Sequence, residues 1–234
     1  MEIISCVQLI SPEKKMNATI ELKDCNFVIV ANNFNLSIIN TVWLFKNQIF
    51  TEDELQGSTN LPVMVQLQSE YFQMQLTPDR LQFSVNPDTE GQKDLVKTKI
   101  GKLINTLPHT PFVAAGINFI FFITPKDKNI HSLSRSLFFN EQSNLFKDID
   151  TDSDDARFGG YFSKDLIGTR FRLDAKPIKM KAPDKRIEAL QFSYNFNIDL
   201  SPNDDPGKIF ELIEKWDEAK GIAQKIAEKI NSKD

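Results

Sequence analysis

Leu190-Gln191-Phe192-Ser193-Tyr194-Asn195-Phe196-Asn197-Ile198-Asp199-Leu200 is the stretch that decides the fold of this chain. Leu190, Phe192, Tyr194, Phe196, Ile198 and Leu200 point one way, and the Gln, Ser, Asn and Asp residues between them point the other. Side chains on a strand alternate with period two, so this is an antiparallel strand with one dry and one wet face.

Its opening letters recur. Leu81-Gln82-Phe83-Ser84-Val85-Asn86 matches Leu190-Gln191-Phe192-Ser193-Tyr194-Asn195. Upstream, Met74…Pro78-Asp79-Arg80 echoes Met180…Pro183-Asp184-Lys185-Arg186, and the offset, 190 − 81 = 109, is close to half of the 234 residues. Each copy closes a run of strands and hands over to a long helix. The repeat therefore predicts two duplicated strand-then-helix halves, 1–110 and 111–234, closed by helices over 92–107 and 206–231. No linker rich in Gly, Pro or Ser parts them near 108–111, so they are expected to pack as one compact unit.

The remaining strands are read over 3–10, 19–23, 27–31, 36–45, 63–68, 72–76, 112–123, 157–164 and 169–175. Gly159-Gly160 is read as a bulge or bend, and both faces of 112–123 are apolar, as in a covered central strand. Thr77-Pro78-Asp79-Arg80 has the chemistry of a turn. Residues 132–147 are expected to form one or two short helices. The helix over 92–107 is preceded by Asp88, Thr89 and Glu90 as capping groups and is followed by Pro108. The last helix opens at Asp205-Pro206, with Asp as N-cap and Pro in the first position. Its apolar seam is Ile209, Leu212, Trp216, Ala219, Ala223, Ile226 and Ile230, a heptad-like series. The fold class is thus α+β: a mostly antiparallel sheet, a mid-chain helix and a long C-terminal amphipathic helix. The element order of the second half resembles helix-grip-type architectures in topology alone, which carries no function.

Composition narrows the function classes. Hydrophobic residues make up 41% and charged residues 26%, as in a globular protein. Phe occurs 19 times, against 3 Tyr and 2 Trp, which favours a packed interior over a base-stacking surface. A net charge of −4 gives no broad attraction to nucleic acid or to an anionic membrane. Cys6 and Cys25 are expected to be free buried thiols. Residues 1–10 lack a basic leader, and the longest apolar run is too short to span a bilayer, so a cytoplasmic location is expected.

The chemistry-bearing residues are sparse. His109 sits in a turn and His131 in a charged loop, neither with partners at metal-ligand spacing. The acidic run 148–155 has alternating oxygens. Ser153 stands where a calcium loop needs Gly, and Gly159 where it needs a carboxylate, so a solvated loop is expected. Arg170, Arg172, Lys179, Lys181, Lys185 and Arg186 are candidate phosphate or nucleic-acid contacts, with no Gly-rich loop beside them. Motifs for serine hydrolases, zincins, P-loops and dinucleotides are all missing, so no catalytic residue, metal or cofactor is expected.

These observations favour a binding or adaptor protein with no catalytic role, which self-associates or meets a protein partner. The seam from Ile209 to Ile230 is the candidate interface, besides its docking on the sheet. A second reading is a small-molecule-binding or hydrolytic protein with a pocket between the sheet and the last helix. A third is nucleic-acid or phosphate binding through 170–186.

Overall fold

The computed structural model describes residues 17–127, 129–153, 155–181, 186–201 and 205–232. The strand expected over 3–10, with Cys6, lies outside them. The chain runs β1 (Ala18–Ala31), α1 (Thr41–Lys46), α2 (Glu52–Leu55), β2 (Thr59–Leu61), β3 (Met64–Gln68), β4 (Phe72–Leu76), β5 (Arg80–Val85) and α3 (Gln92–Asn105). It continues with β6 (Phe112–Pro125), α4 (Ile130–Phe138), β7 (Gly160–Leu166), β8 (Thr169–Lys181) and β9 (Arg186–Asp199). It ends in α5 (Gly207–Glu214) and α6 (Trp216–Glu228).

All nine strands join one antiparallel sheet, in the order β2-β3-β4-β5-β1-β6-β9-β8-β7. Its centre is the long β1–β6 pair. Beside β1 lies β5, and beside β6 lies β9, so the two Leu-Gln-Phe-Ser copies hold equivalent places. Their registers agree as well. Leu81 faces Ile29 and Phe83 faces Phe27; Leu190 faces Ile123 and Phe192 faces Phe121. Equating Ile29 with Ile123 and Phe27 with Phe121 carries Cys25 onto Phe119. Those two residues are themselves cross-strand partners. A pseudo-twofold axis therefore crosses the sheet at Cys25 and Phe119.

One face of the sheet is dry. Phe27, Ile29, Leu81, Phe83, Ile117, Phe119, Leu190, Tyr194 and Phe196 are all buried there. Phe72 and Phe83 stack at 4.9 Å, Phe171 and Phe196 meet at 5.0 Å, and Trp216 of α6 stands edge-on to Phe119 at 5.3 Å. Full burial of each such side chain contributes about 1.5–3 kcal/mol, which explains the excess of Phe over Tyr.

Several local expectations are corrected. Residues 36–45 do not form a strand, because polar side chains interrupt the apolar run. Asn35 accepts from the Ser37 N–H, and Asn40 caps α1 by accepting from the Trp43 N–H at 3.0 Å. The segments 19–23 and 27–31 are a single strand, with register irregularities between Leu22 and Asp24 and between Val30 and Ala31. Gly159-Gly160 serves close approach instead of a bulge. A Cβ on Gly159 would lie 2.5 Å from the Ala175 carbonyl, and one on Gly160 would lie 2.7 Å from the Phe138 ring.

The caps differ too. At α3 the N-cap is Gly91, at φ 63°, which has no side chain to cap with, and Gln92 Nε2 donates to the carbonyls of Asn86 and Pro87 in the preceding turn. At α5 the helix starts at Gly207, one residue later than expected, and the Asp205 carboxylate accepts from the Gly207 N–H at 2.8 Å. The expected single helix over 206–231 is broken. The Lys215 N–H bonds to the Leu212 carbonyl three residues back, a tightened turn that closes α5 before α6 begins.

The mid-chain helix α3 and the C-terminal helix α5 touch each other. Gly101 of α3 faces Phe210 of α5, and a Cβ at Gly101 would lie 3.0 Å from the ring. Lys97 pairs with Glu214, and Lys93 with Asp217 at 3.4 Å, along the same seam. Gly101→Val should lower stability by about 1–3 kcal/mol through overpacking. Gly101→Ala should change it by less than about 1 kcal/mol, since helix propensity offsets the crowding. Denaturant titration of both variants checks the contact.

Candidate functional site

The seam of the C-terminal helices is turned inward. Ile209, Leu212, Trp216, Ala219 and Ala223 are buried, and Ile226 and Ile230 are half-buried against the core. Small Ala219, Ala223 and Ala227 let α6 approach the sheet closely. The space between sheet and helix is therefore filled with side chains. What remains is an open groove of about 490 Å³ at its margin, where Leu22 and Phe121 meet Lys220, Gln224 and Glu228.

Two buried polar atoms in this interior, the Tyr194 hydroxyl and Trp216 Nε1, have no hydrogen-bond partner among the described residues. Burial pushes the Tyr194 phenol well above its ordinary range. Burial likewise pushes the Cys25 thiol up to about 12 from 9.0. The folded state thus holds the Cys25 proton more tightly than the unfolded chain. That contribution to stability is complete below pH 9 and is lost as pH rises towards 12.

The opposite face of the sheet is polar from side to side. One row runs Gln68, Gln73, Ser84, Asn26, Asn118, Asn195, Arg172 and Ser163. At its centre is an asparagine ladder. Asn195 Nδ2 donates to Asn118 Oδ1 at 2.7 Å, Asn118 Nδ2 donates to Asn26 Oδ1 at 2.8 Å, and Asn26 Nδ2 donates to Asp24 at 2.8 Å. Asn26 is only 6% exposed, so its amide depends on these partners.

The basic stretch does not converge. Arg170 and Arg172 are exposed on the polar face, whereas the uninterrupted register of β8 places Lys179 and Lys181 on the other. Arg170 pairs with Asp165 at 3.3 Å and Lys179 with Glu188 at 3.1 Å, so neighbouring acids offset the charge. Arg186 opens β9 opposite Lys181, and Lys185 lies outside the described residues.

His109 is exposed in its turn. His131 is not in a loop but in the first turn of α4, because Asn129 caps that helix; its Nδ1 lies 2.7 Å from the Ala156 carbonyl. One turn on, Arg135 stacks on Phe139 at 4.1 Å, donates to the Thr151 carbonyl at 2.7 Å and pairs with Asp152 at 3.1 Å. The two side chains pin the acidic loop, whose Asp154 is outside the described residues. Among the described residues no three His, Cys, Asp or Glu side chains converge as a metal site requires.

A second clasp was not anticipated from the sequence. Thr51 and Glu54 form a capping box on α2, and Glu54 also holds Lys99 of α3 at 2.6 Å, over the Phe50 ring. The Thr-x-x-Glu spacing was the available signal.

Among the described residues, large apolar side chains left in water occur on β2 and β7 and in segments near them along the chain. Ten of the thirteen fall into two groups: Ile38, Val42, Phe45, Leu61 and Val63, and then Leu145, Phe146, Ile149, Tyr161 and Phe162. The first belongs to α1 and the β2 edge, which an Asn60–Thr41 bond of 3.0 Å ties together. The second belongs to the β7 edge and the segment leading into it, where Phe139 links Phe146 to Phe158.

Asn118→Ala should cost about 1–3 kcal/mol, since it strips Asn26 and Asn195 of a partner at once. Asn118→Gln should recover part of that loss, and thermal or urea unfolding of the pair checks the ladder. No helix is long and apolar enough to cross a membrane among the described residues. Compared with known proteins, the chain matches no family model, no curated protein and no solved structure.

Proposed function

We propose that this chain is a binding or adaptor protein that associates with copies of itself through an end of its sheet. The observation that carries this reading is the distribution of exposed apolar groups. A filled interior leaves no demand for them, yet they gather at the two edges, where a strand offers unpaired backbone groups. The seam from Ile209 to Ile230 lies against the sheet, so the interface is assigned to the edges instead of the C-terminal helix.

Sedimentation or light scattering across a range of protein concentrations tests the reading. A mass that rises from monomer towards dimer with concentration supports it. A monomer mass at every concentration removes self-association. Truncation at the inward seam, Trp216→Ala, should behave as a core lesion, costing about 3–5 kcal/mol of stability.

A further inference from the structure

The two edges of the sheet are unequal. At one, β2 has three residues, a length that blunts pairing. At the other, β7 has seven, Gly160–Leu166, with no strand on its outer side among the described residues. It carries no Pro. Its aromatic residues, Tyr161 at 68% and Phe162 at 53% exposed, project from opposite faces.

We infer that β7 pairs antiparallel with β7 of a second copy, centred on Ser163, to make one sheet continuous through both molecules. This rests on the self-association reading above and names its surface and register. Three properties of the strand favour a second copy as the occupant. First, antiparallel pairing about a twofold axis keeps each residue on its own face only if the axis passes through a residue, because side chains alternate. Of those choices, Ser163 alone uses the whole strand.

Second, that register is complementary. Tyr161 falls opposite Asp165 on the polar face, where Arg170 already holds Asp165 at 3.3 Å. Phe162 falls opposite Lys164 on the helix face, ring against aliphatic stem. Each pair occurs twice. Moving the axis to Lys164 would instead oppose two ammonium groups, which is unfavourable. Third, the chain already contains this arrangement once. Its two half-sheets join through β1 and β6, equivalent strands paired antiparallel about an axis at Cys25 and Phe119.

A seven-residue ladder lies near the small end of specific interfaces, which bury about 1,000 Å² or more when stable. The dimer should therefore dissociate on dilution. Cysteine cross-linking reads the register directly. In a Cys6→Ser background the remaining native thiol, Cys25, is buried. There, Ser163→Cys places two thiols across the axis, and oxidation should give a dimer band lost on reduction. Tyr161→Cys alone should not cross-link, but mixed with Asp165→Cys it should. Tyr161→Lys, which leaves the Phe162–Phe171 ring contact intact, should weaken dimerisation about tenfold or more while leaving the unfolding midpoint unchanged at concentrations dilute enough for the wild type to be monomeric.

Two results would overturn the inference. If wild type dimerises while Ser163→Cys stays uncross-linked, the β7 register fails and self-association stands. If wild type remains a monomer throughout, both fall.

Discussion

The pairing of β1 with β6 joins β2 to β5 on one side with β7 to β9 on the other in one sheet, and the rest of the structure is arranged around it. Phe27 and Ile29 on β1 lie in the same dry layer as Ile117 and Phe119 on β6, so the core runs through the seam without a gap. On the wet side the amides of Asn26 and Asn118 stitch the same strands, and Asn195 extends the ladder to β9. Removing the pair would expose two long strand edges and divide the aromatic layer, so neither half could keep its helix fully covered.

That central seam also decides what the remaining surfaces can do. Antiparallel order places both Leu-Gln-Phe-Ser strands next to the centre, where their Leu and Phe residues are buried. It leaves β2 and β7 at the rims. The apolar groups that the helices do not reach are therefore found at the rims, beside unpaired backbone. Among the described residues, the interior holds two polar atoms without partners, on Tyr194 and Trp216. Binding at the rims fits this division of labour better than chemistry in the interior does.

Much of the sheet was legible because alternation is a local property. The strands around Leu190, Leu81 and Phe72 each announced a wet and a dry side, and the repeated Leu-Gln-Phe-Ser pointed to equivalent positions. Residues 36–45 were misread because an apolar run alone does not separate strand from helix; the caps at Asn35 and Asn40 decide, and they act through specific hydrogen bonds. The break at Lys215 has no Pro or Gly to mark it. The basic stretch looked like one surface in the linear sequence, but pleating divides it, sending Arg170 and Arg172 to one face and Lys179 and Lys181 to the other.

By itself, the sequence determined the alternation of the strands around Leu81 and Leu190, the Phe-rich dry layer and the apolar seam from Ile209 to Ile230, because these follow from spacing along the chain. The tertiary structure alone decided which strands became neighbours, where the pseudo-twofold axis falls and which strand ends at a free edge. Strand order joins residues far apart in the chain, such as Asn26, Asn118 and Asn195, and no local spacing encodes that meeting. The candidate interface belongs to this second class, since β7 is exposed only through its place last in the sheet.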